Sequence, residues 1–253
     1  MTGENVEFQF RDWMARNQRE VEAARRQVED LYASPERKLS LAKIEYKKAW
    51  REDALTPQIV DDLYQSFWNK KIRDSGVDYY LEIPRCDRSA EELSDLRADR
   101  RAVVLMPDGM MSIGGLFALH KMFPAMGAVD LQKGIIDNAS EKGGCLDVEM
   151  EFYTPNRSTT EEEAEEFIRS QEREGQRIET YVVASQLLGK ELSGEYFDSR
   201  SPMNFARLSG SRQSGSILIA SFTKEGILEI DSGFPPSVRG AELGARSEGR
   251  KAI

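Results

Sequence analysis

Seven polar residues near the C-terminal end have the chemistry of a recognition surface: Arg207, Ser211, Arg212, Ser214, Glu229, Asp231 and Arg246. Guanidinium forks match carboxylates and phosphates, hydroxyls both donate and accept, and carboxylates accept. All lie on or beside a predicted hairpin, Ser216–Phe222 and Ile227–Ile230 around a Thr223–Gly226 turn, so one short unit would present them together. Residues suited to covalent or acid–base work are sparser. His120 is the single histidine and shares an apolar helix face with Ile113, Leu116 and Phe117, which reads as a packed side chain. Cys86 follows Pro84-Arg85 in a loop, and Cys145 precedes a strand. Neither spacing activates a thiolate or builds a four-ligand zinc site.

Asp147, Glu149 and Glu151 fall on one face of a strand, about 6.6 Å apart by strand rise. No calcium-loop spacing surrounds them, so they predict a solvated acidic face. Gly109, Gly114 and Gly115 follow an apolar strand but match neither phosphate-binding pattern. Ser209, Ser211, Ser214 and Ser216 form no G-x-S-x-G elbow. The expectation is a protein without catalytic residues, metal or cofactor. Its function is non-enzymatic recognition of a ligand or protein partner. Two alternatives stand beside it: an assembly protein oligomerising through N-terminal helices, and an enzyme of unknown class using His120 or the carboxylates.

Composition narrows the class. The 253 residues are 40% hydrophobic and 31% charged, with mean hydropathy −0.56, as in a soluble globular protein. No apolar run approaches the ~20 residues of a membrane helix. The first residues lack the basic head and apolar stretch of a secretory signal, so the expected compartment is the cytoplasm. A net charge of −9 and a pI near 5.0 argue against a nucleic-acid partner. Residues 141–200 carry 7 basic against 15 acidic residues, whereas 201–253 carry 7 against 5, so two differently charged surfaces are expected.

The elements that must position these residues are legible from periodicity. Residues 5–32 and 36–53 read as helices broken at Ser34-Pro35. Thr56-Pro57 starts a helix carrying Ile59, Leu63, Tyr64, Phe67, Trp68 and Ile72 on one face, closed by Gly76. Alternation then predicts a strand at 77–83. Ser89 with Glu92 predicts a capped helix at 90–99, and 102–106 a buried strand. A helix over Ser112–Phe123 and another within 125–144 follow. The rest reads as a strand over 146–152, a helix from Ser158–Glu163, a helix over 177–188 ended by Gly189, and the hairpin. On the hairpin, Leu218, Ala220, Phe222, Leu228 and Ile230 form the predicted core face. Ile217, Ile219, Ser221, Ile227 and Glu229 form the half-covered one.

The fold class is therefore α+β, with a helical arm at 1–76, a mixed segment at 77–144 and an α+β module at 145–253. The order of pieces in that module resembles the bacterial C-type-lectin-like fold. That group includes formylglycine-generating-like domains and the variable proteins of diversity-generating retroelements. The matching pieces are the strand CLDVEMEFY, the helix entry TPNRSTTEEEAEEF and a second helix ending near YFDSRS. They continue in FARLSGSRQSGSILIASFTKEGILEI and the closing LGARSEG. The paired cysteines of formylglycine-generating enzymes are absent from this region. The resemblance therefore implies a ligand-displaying scaffold and argues against oxidase activity.

Overall fold

In the computed structural model, the described residues are 34–77, 81–111, 121–123, 136–138, 142–199, 204–213, 215–232 and 235–251. Local capping fixes the helices. Ser34 Oγ accepts from Arg37 N at the start of α1 (Pro35–Glu52), which ends at Asp53 in the left-handed region. Thr56 Oγ1 accepts from Ile59 N ahead of α2 (Pro57–Ser75), and Gly76 closes it at φ 61°. Full capping boxes, Ser89/Glu92 and Thr160/Glu163, start α3 (Ala90–Ala98) and α4 (Glu161–Ser170). The helix expected at 177–188 is α5 (Ile178–Ala184), which widens into a π-helical stretch, Ser185–Ser193. Gly189 does not end it. Gly194, at φ 93°, does, while Gly189 leaves room for the Glu195 carbonyl 2.8 Å from where a Cβ would sit.

Two sheets share the core. The first has the order β1-β3-β9-β4, from Arg101–Met106, Gly144–Glu149, Ser247–Arg250 and Glu174–Gly175, all antiparallel. In the second, β2 (Ile136–Asn138), β5 (Phe205–Gln213), β6 (Ser216–Phe222) and β7 (Leu228–Asp231) pair antiparallel in that order, and β8 (Leu243–Ala245) runs parallel beside β5. Arg246 alone separates β8 from β9, so the chain crosses from one sheet to the other at a single residue.

The predicted face of α2 is the inner one: Leu63, Tyr64, Phe67 and Trp68 have no exposed surface. It also finishes the edge of the first sheet. Tyr64 Oη donates to Val103 O at 2.7 Å and Trp68 Nε1 to Leu105 O at 2.9 Å, satisfying alternate carbonyls that the edge strand β1 leaves unpaired. One core cluster runs from Leu39 through Val104 and Leu146 to Leu228. The described residues of the helical arm and of the mixed segment share this one core with the module, which the boundaries at 76/77 and 144/145 do not divide.

Several expectations change. Val77 and Leu81–Ile83 are not in a strand, and 78–80 lie outside the described residues. The same holds for residues 5–32, for His120 and nearly all of the helix expected over 112–123, for Gly114 and Gly115, and for Ser214. Within the segment 125–144, residues 136–138 form a strand instead. The acidic face is only partly solvated: Glu151 lies beyond the strand and is exposed, whereas the other two carboxylates are engaged. Asp147 is buried between Arg173 and Arg88, with Arg88 Nη2 at 3.3 Å, and Glu149 accepts from the Ser247 amide and hydroxyl.

The serine-rich stretch is strand rather than loop. The β5–β6 register slips between Leu208 and Arg212, throwing Ser209–Ser211 into a bulge. The bulge reaches the start of α5: Gly210 N donates to Gln176 O, and Ser211 Oγ accepts from Ile178 N at 3.0 Å. On the hairpin, Leu218, Ala220, Phe222 and Leu228 are buried as expected, with Ile230 partly so. Ile217, Ile219 and Ser221 are buried as well, because β6 lies between β5 and β7 and is covered on both faces; only Ile227 and Glu229 of the second set are exposed.

Candidate ligand-binding cleft

The loop following β3 and the loop following the π-helical stretch are tied together by one buried cluster. Asp198, in the left-handed region at φ 57°, accepts from Arg246 Nε (2.8 Å) and Nη2 (2.9 Å). It also accepts from Thr154 Oγ1 (2.8 Å) and Tyr181 Oη (3.1 Å). Arg246 also donates to Glu149 O and Glu151 O, and its guanidinium lies 4.9 Å over the Phe197 ring. The Asp198 amide donates to Phe152 O. Thr154 and Phe152 flank Tyr153, and Asp198 lies two residues beyond Tyr196. The clamp therefore sets the backbone beneath two tyrosines.

Those tyrosines line a cleft of about 490 Å³, with Lys190, Glu195, Ser199 and Lys224 around it. Tyr196 is held firmly. Its ring stacks on Phe222 (centroids 4.9 Å apart, planes at 12°), and a Cβ at Gly226 would come within 2.7 Å of the ring. Glycine at 226 thus lets the β6–β7 turn close over it. Lys190 Nζ sits 5.2 Å from the centroid of the Tyr196 ring and donates to Gly194 O at 3.3 Å. Ser199 Oγ donates to Tyr196 O. Arg157 stands 5.5 Å over the Tyr153 ring, which is 37% exposed. Burial, and then the Glu191 carboxylate, raise the Tyr196 hydroxyl above its ordinary value, so it remains protonated and a donor at neutral pH. The arrangement offers the half-exposed Tyr153 ring, the Tyr196 phenol and two ammonium groups from three chain segments.

Sequence reasoning placed the site elsewhere, and the structure distributes those residues. Arg246 is the buried clamp just described. Arg207 is buried and donates to Thr159 O (2.9 Å) and Val238 O (2.6 Å), pinning the loop before α4. Ser211 is fully buried in the bulge. All three are buried, and each makes hydrogen bonds to backbone groups of bulges and loops. Arg212 is half-buried and bridges to Glu165 (3.2 Å) and Glu161 (3.8 Å) on α4. Glu229 and Asp231 are exposed on β7. These positions do not converge on one cavity. The missed residues carried a faint signal, since Tyr153 and Tyr196 each sit beside turn-forming residues with a lysine or arginine within six positions.

Among the described residues, no group of three or more His, Cys, Asp or Glu side chains is placed to hold a metal ion. No described helix is long and apolar enough to cross a membrane. Compared with known proteins, the chain matches no family model, no curated protein and no solved structure.

Proposed function

We propose that this protein is a non-enzymatic recognition protein whose C-terminal module binds a small anionic ligand with a ring or apolar face in the Tyr153–Tyr196 cleft. The observation carrying this reading is the convergence of two tyrosines with Lys190 and Lys224 on a cavity of about 490 Å³, a volume usual for small-molecule sites. Flat rings stack on sugar or aromatic faces, and ammonium groups favour carboxylate or phosphate. The C-type-lectin-like reading of the module is supported by its element order. A strand is followed by α4 and α5, then by an antiparallel β5-β6-β7 sheet, and β9 returns to pair with β3. A scaffold that closes its ends together leaves its loops free to vary as a binding surface.

Glycan-array binding with the full chain tests the proposal. Carboxylated sugars should be retained, and Lys190→Ala with Lys224→Ala should weaken them at least about tenfold, or ~1.4 kcal/mol, at unchanged melting temperature. Equal binding by the double variant would move the site elsewhere, and a folded wild type that retains no anionic ligand would sink the reading.

One observation favours the assembly alternative. Leu41 and Ile44, one helical turn apart on α1, are 45% and 65% exposed. Light scattering on the wild type and on Leu41→Glu/Ile44→Glu decides it: a monomeric wild type removes this reading.

A further inference from the structure

A second cavity, of about 320 Å³, opens where the end of α1 meets the end of the π-helical stretch and Met150, the residue after β3. It shares no described lining residue with the Tyr153–Tyr196 cleft. Its walls are apolar. Tyr46 and Trp50, one turn apart on α1, stack with centroids 6.1 Å apart and planes at 16°. Trp50, Met150 and Leu192 pack against the core yet stay only partly buried. Ser193, the serine of the lining, already donates its hydroxyl to Leu188 O at 2.9 Å. Leu192 and Ser193 end a π-helical stretch, a rare geometry that frequently marks functional sites.

Lys47 and Arg51 complete the lining, four residues apart on α1. Like charges at that spacing repel, and an anion between them relieves the repulsion. Among the described residues neither makes an ion pair. Glu191, beside Leu192, is taken by Lys43 at 3.2 Å, and Asp53 by Arg97 at 3.4 Å. Glu52 directly follows Arg51 and so faces another side of the helix. Arg51 Nε donates to Lys47 O at 3.2 Å, which leaves its Nη groups for a ligand. We propose that this cavity binds a free, unbranched fatty acid, its chain against Trp50, Met150 and Leu192 and its carboxylate on Lys47 and Arg51. The charge selects the head, since a guanidinium and an ammonium together suit a carboxylate. The walls select the body. Methionine and leucine side chains adapt to an alkyl chain, and with Ser193 spent the lining favours hydrocarbon over a sugar. The volume, at the small end of ligand sites, suits one chain rather than a two-chain lipid.

The test is calorimetric titration of the full chain with sodium decanoate below its micelle concentration. One decanoate should bind per chain, and Lys47→Ala with Arg51→Ala should weaken it at least about tenfold at unchanged melting temperature. Lys47→Gln alone serves if the double variant melts lower than the wild type. Decyltrimethylammonium, the same chain length under a cationic head, should not bind at comparable concentrations. Lys190→Ala with Lys224→Ala should bind decanoate as the wild type does, so this inference and the reading of the Tyr153–Tyr196 cleft fail separately. A wild type that binds no decanoate, one that takes the ammonium amphiphile equally, or a Lys47/Arg51 variant of wild-type affinity overturns the inference. A loss of affinity confined to the Lys190/Lys224 variant also overturns it, by placing decanoate in the other cleft. Sedimentation with phosphatidylglycerol vesicles, abolished by the Lys47/Arg51 changes, would make the patch a bilayer contact and overturn it too.

Discussion

Arg246 grips Asp198 through two nitrogens, at 2.8 and 2.9 Å, with both side chains withdrawn from solvent. Desolvating two charges is tolerable only where the remaining lone pairs and donors are satisfied. Here Thr154, Tyr181 and two backbone carbonyls do so. Because Arg246 is also the residue at which the chain changes sheets, the pair fixes the seam of the module and the floor of the cleft together.

Removing one partner of this pair should be severe. Arg246→Met leaves Asp198 charged and buried, and should cost about 3–5 kcal/mol in urea unfolding. A loss under about 1 kcal/mol would mean that water reaches Asp198.

The buried face of α2 should behave as core. Leu63→Ala removes a side chain with no exposed surface and should cost roughly 2–5 kcal/mol. An unchanged melting temperature would place that face outside.

On the hairpin, Phe222 stacks on Tyr196 and lies 5.7 Å from the Tyr181 ring. Phe222→Ala should cost about 3–5 kcal/mol, whereas Glu229→Ala, on the exposed side of β7, should stay within about 0.5 kcal/mol. The reverse ranking in thermal unfolding would turn the hairpin inside out.

Gly210 sits where the bulge meets β4. A Cβ there would overlap Gly175 O and approach Arg177 Cγ at 2.8 Å, so the backbone must shift. Gly210→Ala should therefore destabilise by more than about 1 kcal/mol, while the open position Gly76 has no neighbour within 4 Å to clash. Equal melting of the wild type and Gly210→Ala would show that the bulge is not packed on β4.

Glu92 gives a pH signature. Lys251 first, and then the Ser89 amide that it caps, hold its carboxyl down at about 2, against an ordinary 4.5. A carboxyl depressed on folding contributes its full stabilisation above the ordinary value and loses it as pH falls towards 2. Carboxyl NMR should give a midpoint near 2 that rises in Lys251→Ala. A wild-type midpoint at the ordinary value would show that Lys251 does not reach it.

What the sequence revealed was what local chemistry decides. Thr56-Pro57, Ser89/Glu92 and the acid-rich entry to α4 each announce a helix start within four residues, and the structure caps them as read, while Ser34-Pro35, read only as a break, is the capped start of α1. The β6–β7 alternation likewise found the deepest hairpin positions. What stayed hidden depends on partners distant in sequence. β4 and β8 have two and three residues, too few to show a period, and exist only because β9 and β5 pair with them. Arg246, Arg207 and Asp147 read as surface charges because their counterparts, Asp198, the Thr159 carbonyl and Arg173, come from other segments. The cleft eluded pattern reading for the same reason, since it is assembled from three loops with no common motif.

The position of β9 bears on how the protein can be made. Residues 247–250 are an inner strand of the first sheet, with β3 on one side and β4 on the other. A ribosome extruding this chain from its N-terminus must release β1, β3 and β4 long before the strand that joins β3 to β4 exists. The first sheet is therefore completed only after residue 250 has cleared the exit tunnel. A nascent chain stalled before residue 243 would hold α1 and α2 with half a sheet, its β3 edge open and Asp198 without its arginine.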